Sequence, residues 1–152
     1  RFEKAEDIIE SFFPVRFALY EKRKERLQAT LAHEAAVSSN KAKFIQAVSE
    51  GRINLTESGK SKEALLSEIR SLGCQTRAEL SQIRCDGLEG ERQANENDDF
   101  DYLLSMPISS LTTERIDSLI SDSTTKQEAL GEMQKTAPAE LWHADLNRLE
   151  AK

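Results

Sequence analysis

The first third of the chain carries one long helical pattern, and this pattern constrains the fold more than any other feature. From Glu6 to about Val48, apolar side chains recur at spacings of three, four or seven residues or their sums. A helix of roughly 40 residues spans about 60 Å, which is too long for the interior of a globule of 152 residues. We therefore expect this helix to project and to need a partner helix. The apolar positions are Ile9, Phe13, Phe17, Tyr20, Leu27, Leu31, Ile45 and Val48.

A second helical pattern in the last third of the chain supplies that partner. It runs over residues 111–135, with Thr112 or Thr113 as the N-cap. Two long helices of opposite direction predict an antiparallel coiled-coil arm. Between residues 31 and 44 the first helix offers small side chains, which would let the partner approach closely. These are Ala35, Ala36, Ser38 and Ala42.

Pro14 interrupts the first helical pattern. A proline inside a helix has no N–H to donate, and its ring crowds the carbonyl four residues earlier, here that of Glu10. We therefore expect a kink or a restart of the helix at this position.

The segment between the long helices predicts a small α/β tip. Gly51 has the chemistry of a helix end, and the alternation over residues 52–56 predicts a short strand. Helices are predicted over 61–72 and 77–83. Residues 86–101 hold seven acidic residues against one basic, so a mobile loop is predicted at about 86–99.

The predicted fold class is therefore mainly α, a long antiparallel coiled-coil arm with a small globular α/β tip and a short C-terminal helix. We divide the chain into an outgoing helix over 1–50, the tip over 51–110, a return helix over 111–136 and a terminal helix over 137–152. No apolar run approaches the roughly 20 residues of a membrane span, so a soluble chain without a membrane partner is expected.

Catalytic patterns are sparse. His33 and His143 lie far apart and outside any metal-binding spacing, and Tyr20 and Tyr102 have no activating base beside them in the sequence. A net charge of −6 argues against a general phosphate-binding surface. We predict no catalytic residue, metal, cofactor or small-molecule substrate in this chain. The basic run over 22–24 is interpreted as a solvated face, with weak DNA contact as the alternative.

Four ordered motifs carry a resemblance to a known family. The chain resembles the C-terminal coiled-coil and exit-gate region of eukaryotic-type type II DNA topoisomerases over about residues 5–149. The family pattern is broken at Pro14, where many members carry a helix-compatible residue, and residues 74–100 match little. The motifs are Ile8-Ile9 with Phe12-Phe13, Arg16-Phe17 and Tyr20 to Lys24; Asn40 to Ile45; Tyr102 to Ile108 followed by Leu111-Thr112; and Leu141 to Leu146.

The resemblance implies a role in a larger enzyme. This part would be a dimerising exit gate, through which a transported DNA duplex leaves during ATP-dependent strand passage. The parent would be an ATP-dependent, DNA topology-changing isomerase that binds ATP and magnesium outside this chain. The resemblance implies a homodimer that joins through the tip, and an intracellular parent in the nucleus or in an organelle such as the mitochondrion.

A gate must close firmly and still open in each cycle, which favours a modest self-complementary interface with an apolar centre. Each residue that we assign to this interface could instead belong to the tip's own core. The alternative functions are a helical scaffold or adaptor that binds another protein, and an autonomous nuclease or phosphoryl-transfer activity. The predicted interface residues are Phe44, Ile45, Val48, Leu103, Leu104, Met106 and Ile108.

Overall fold

The computed structural model of the chain describes residues 4–55, 61–84, 99–107, 109 and 111–151. Over these ranges the chain is helical and forms no strand, which confirms the mainly α prediction. The helices are α1 (Ala5–Ser49), α2 (Lys62–Ser71), α3 (Arg77–Arg84), α4 (Asp101–Leu104), α5 (Thr113–Lys135) and α6 (Pro138–Glu150). None of the helices in the described ranges is both long enough and apolar enough to cross a membrane.

Helix α1 is 45 residues long and runs through Pro14 without a break. The predicted restart is therefore wrong. A proline costs one backbone hydrogen bond, but its fixed φ suits a helix, so a long helix with many other bonds can contain it. At about 1.5 Å per residue, α1 spans about 65 Å.

The short strand predicted at residues 52–56 is not formed over its described part, 52–55. Gly51 has a φ of 71°, and this left-handed residue turns the chain back on α1. The N–H groups of Arg52 and Ile53 then both donate to the carbonyl of Ala47, at 2.9 and 3.2 Å. Ile53 is 2% exposed. The segment therefore continues the end of α1, and the described part of the tip is helical rather than α/β.

Helices α1 and α5 pack side by side and antiparallel. Near the start of α1, Lys24 donates to the carbonyl of Gln134 at the end of α5, 3.1 Å away. Farther along α1, the hydroxyl of Ser38 donates to the carboxylate of Asp122 at 2.6 Å. Ala35, Ser38 and Ala42 are buried, which confirms that small residues let the partner approach. Coiled-coil supercoiling of the pair stays a prediction.

The buried core lies at the far end of α1, with two adjoining clusters. Over its first thirty residues, α1 buries only Tyr20. The molecule therefore has a packed tip and a thinly packed arm base, which we define as residues 5–23 of α1 together with α6. The tip cluster contains Phe44, Ala47, Ile53, Ile69, Cys74, Phe100 and Leu103. The cluster between α1 and α5 contains Ala42, Ile45, Ile116 and Leu119.

The acidic segment predicted as a mobile loop lies outside the described residues except for Asp99. The Asp99 carbonyl accepts a hydrogen bond from the N–H of Arg77 at 2.8 Å, and its carboxylate pairs with Arg70 at 3.2 Å. The chain therefore re-enters the tip through contacts with α2 and α3. The four-part division of the chain stays a prediction.

Candidate partner-binding surface at the tip

The short helix α4 presents the residues that resemble a gate interface. Phe100 precedes it and Leu103 lies within it, and both side chains are completely buried in the tip cluster. These two anchors fix the orientation of the helix. Pro107 follows shortly after, where a residue without an N–H cannot extend a helix.

Three of the predicted interface residues lie in the chain's own core. The exposed fractions of Phe44, Ile45 and Leu103 are 1%, 0% and 0%, so these side chains offer no surface to a partner in this conformation. We therefore correct their assignment to the alternative stated from the sequence, the core of the tip. Apolar character alone could not separate these residues from an interface, because both environments select it.

The other three described candidates form a half-buried rim over that core. Val48, Leu104 and Met106 pack against the tip cluster but remain partly accessible. Met106 also contacts the cluster between α1 and α5. Ser105 and Pro107 are exposed beside them. Ile108 lies outside the described residues. The rim is apolar at its centre and polar at its edge, which is typical of a modest interface.

A buried polar network beneath the rim was missed from the sequence. The hydroxyl of Tyr102 donates to the carbonyl of Gln75 at 2.7 Å and accepts from the side-chain amide of Asn40 at 3.1 Å. Burial raises the pKa of Tyr102 to about 12, although the bond from Asn40 acts in the opposite direction. Nearby, burial raises the pKa of the Cys74 thiol, which makes it a weak nucleophile. The network is a structural feature of the tip.

A second cluster holds α6 on α1 at the arm base. The hydroxyl of Tyr20 donates to the carboxylate of Asp145 at 2.8 Å, and the guanidinium of Arg23 donates to the same oxygen. The ring of Trp142 stacks on Tyr20, with centroids 5.5 Å apart, and on Phe13, with centroids 5.2 Å apart. We call these five residues the latch cluster.

The latch cluster corrects the sequence-based statement that Tyr20 has no base nearby, because Asp145 is 125 positions away along the chain. The hydrogen bonds from Arg23 and Tyr20 hold the pKa of Asp145 below its usual value. A carboxylate with a lowered pKa is a poor proton acceptor. The contact therefore serves to attach α6 rather than to activate Tyr20.

The basic run of α1 takes part in contacts within the chain. Arg23 pairs with Asp145 on α6, and Lys24 donates to the carbonyl of Gln134 at the end of α5. A cation near the end of a helix also interacts favourably with the helix dipole. These two residues are thus engaged by the protein itself rather than free for phosphate groups.

Within the described ranges, no three side chains of the His, Cys, Asp and Glu types converge as a metal site would require. His143 borders an open apolar groove of about 330 Å³ between α1 and α6, beside Phe12 and Trp142. The described chemistry is that of a helical packing and contact surface.

Comparison with known proteins points to one family. The family model for one of the subunits of DNA gyrase/topoisomerase IV matches residues 1–147. The chain is 32% identical to DNA topoisomerase 2 of Arabidopsis thaliana over 95% of its length and 11% of that protein. It is 31% identical to DNA topoisomerase 2-alpha of Cricetulus griseus over 96% of its length and 10% of that protein. The chain thus spans about a tenth of the length of these relatives.

A solved structure gives the same result. The crystal structure of the Plasmodium falciparum topoisomerase II DNA-binding, cleavage and re-ligation domain superposes with a TM-score of 0.80 at 28% identity. The match covers 99% of this chain and 21% of that one. The fold and the sequence therefore agree over nearly the whole chain.

Proposed function

The chain belongs to the DNA gyrase/topoisomerase IV family of type II DNA topoisomerases, and from that premise we propose that it forms a dimerising exit gate. Two copies meet at their tips and enclose a passage through which the transported duplex leaves. The cleavage of DNA and the binding of ATP and magnesium belong to parts of the parent enzyme outside this chain. The eukaryotic relatives support a nuclear enzyme.

The observation that carries this proposal is the separation of a packed tip from the two ends of the chain. Helix α1 acts as a spacer of about 65 Å, and α5 returns along it. The tip carries the buried clusters, whereas the arm base buries only Tyr20. A gate needs this geometry, because its contact surface must lie far from the site of cleavage.

The half-buried rim supports a contact that can open. Val48, Leu104 and Met106 are partly accessible over a core that is complete without a partner. The tip can thus stay folded when two copies separate. An obligate dimer would instead leave a large apolar core open in each copy.

We expect Leu104→Asp to weaken the dimer by at least about tenfold, because a charge would be buried at the apolar centre of the contact. Leu146→Asp is the matched control, since Leu146 is 44% exposed on α6 at the other end of the arm. Light scattering coupled to size-exclusion chromatography measures both.

Leu104 also touches the tip core, so a second variant guards against misfolding. Ser105→Glu places a charge on an exposed residue of the same segment. If circular dichroism shows both tip variants folded and both dimerise as the unsubstituted chain does, the rim is not the interface.

The alternative function, a helical scaffold or adaptor that binds another protein, draws on a different feature. Phe12, Phe13 and Val15 near the start of α1 are each more than half exposed, which is unusual for large apolar side chains on one helix face. The two functions differ in their outcome. A gate dimerises through the tip rim, whereas an adaptor remains a monomer until its partner is present.

A further inference from the structure

The specific contacts between α6 and α1 fall in the latch cluster of Phe13, Tyr20, Arg23, Trp142 and Asp145. Two ring stacks and two hydrogen bonds to one carboxylate make up this cluster. Helix α6 buries none of its residues, and Leu149 at its end is 70% exposed. The helix is therefore attached by a patch rather than by a core.

The latch cluster is separate from the rest of the buried structure. The next buried residue of α1 after Tyr20 is Ala35, which lies about 22 Å farther along the helix. The clusters around Phe44 and Ile45 begin beyond that point. Opening of the latch cluster thus breaks no contact of the distal core, which is the condition for local rather than global unfolding.

The end of α5 is fixed to α1 independently of α6. Gln28 and Lys24 of α1 donate to the carbonyls of Met133 and Gln134, at 3.4 and 3.1 Å. Between α5 and α6 the backbone is extended at residues 136–137. A change of ψ in this two-residue link can move α6 while α5 stays in place.

We propose that α6 is a latch that opens from α1 and closes on it about the link at residues 136–137, while the α1–α5 pair and the tip stay folded. When open, the latch uncovers the aromatic faces of Phe13, Tyr20 and Trp142 and frees the chain after Thr136 to change direction. The latch therefore sets how rigidly this end of the chain is held to the arm. The inference goes beyond the gate, because it requires neither a dimer nor DNA.

The chain contains one tryptophan, Trp142, so its fluorescence reports on the latch alone. In a urea titration we expect the emission of Trp142 to shift to longer wavelength at a lower urea concentration than the loss of helical circular dichroism. Amide hydrogen exchange should also be faster in α6 than in the middle of α5. Coincident fluorescence and dichroism transitions would overturn the proposal.

Asp145→Asn tests which contacts close the latch. Loss of the charge should speed amide exchange in α6 by about fivefold and leave α5 unchanged. Asp117→Asn, on an exposed residue of α5, is the matched control and should change neither. Tyr20→Phe replaces Asp145→Asn if the latter does not fold. Equal changes in α5 and α6, or no change in either, contradict the assignment.

Discussion

At the residue scale, Tyr102 connects parts of the tip that are far apart in sequence. Its hydroxyl bonds to Asn40 of α1 and to Gln75 between α2 and α3. Asn40 is 2% exposed, so its amide depends on this partner. Sequence reasoning assigned Tyr102 to packing, which describes its ring, but the hydroxyl's partners lie 62 and 27 positions away and follow only from the fold.

We expect Tyr102 to titrate at about pH 12 in the folded chain, because burial raises its pKa. Below about pH 10 the phenol is protonated in both states, so it adds no pH dependence. As the pH rises from about 10 toward 12, the unfolded chain loses this proton first and the free energy of unfolding falls. Ultraviolet absorbance of the tyrosinate measures the step.

Tyr102→Phe should remove that titration step and lower the free energy of unfolding by about 1–3 kcal/mol, since it leaves Asn40 and the Gln75 carbonyl without this partner. Urea denaturation at neutral pH measures the loss. An unchanged alkaline titration in the variant would show that Tyr102 is not the buried phenol.

At the element scale, the contact between α1 and α5 is made by small and polar side chains. The hydroxyl of Ser123 donates to the carbonyl of Ala35 at 3.1 Å. Asp122 accepts from Ser38 and pairs with Lys126, and the first of these bonds contributes most to a lowered pKa of Asp122. The helices approach closely here because Ala35 has no larger side chain.

We expect Ala35→Leu to lower the free energy of unfolding by about 1–3 kcal/mol, because the added atoms would separate the helices or distort them. Ala18→Leu is the matched control, since Ala18 is exposed on the same helix and the same change should be nearly neutral. Urea denaturation followed by circular dichroism distinguishes them. Equal effects at both positions would refute close packing at Ala35.

The helices were predictable because their signals are local. Ser61 caps α2 and Thr112 caps α5 through their own hydroxyls, as such residues do in many proteins. Gly73, with a φ of 70°, follows the end of α2. The strand prediction at residues 52–56 failed because the alternating pattern records the burial of Ile53 but not its partner. That partner is the end of α1 rather than another strand.

At the scale of the whole molecule, burial is concentrated at the tip and weak at the arm base. The sequence predicted the arm's two long helices but could not divide the apolar residues of the tip between core and rim. Leu103 and Leu104 are neighbours of identical chemistry, yet the first is buried and the second is only partly so. The orientation of α4 decides between them. This division is what makes a reversible contact between tips physically reasonable.

Sedimentation equilibrium of this chain over a wide range of concentrations tests the exit gate most directly. A rim of half-buried side chains over a complete core predicts a reversible equilibrium between folded monomer and dimer. The fitted mass should rise with concentration from the 17.1 kDa of one chain toward twice that value. A mass that stays at one chain at every concentration would contradict dimerisation through the tip.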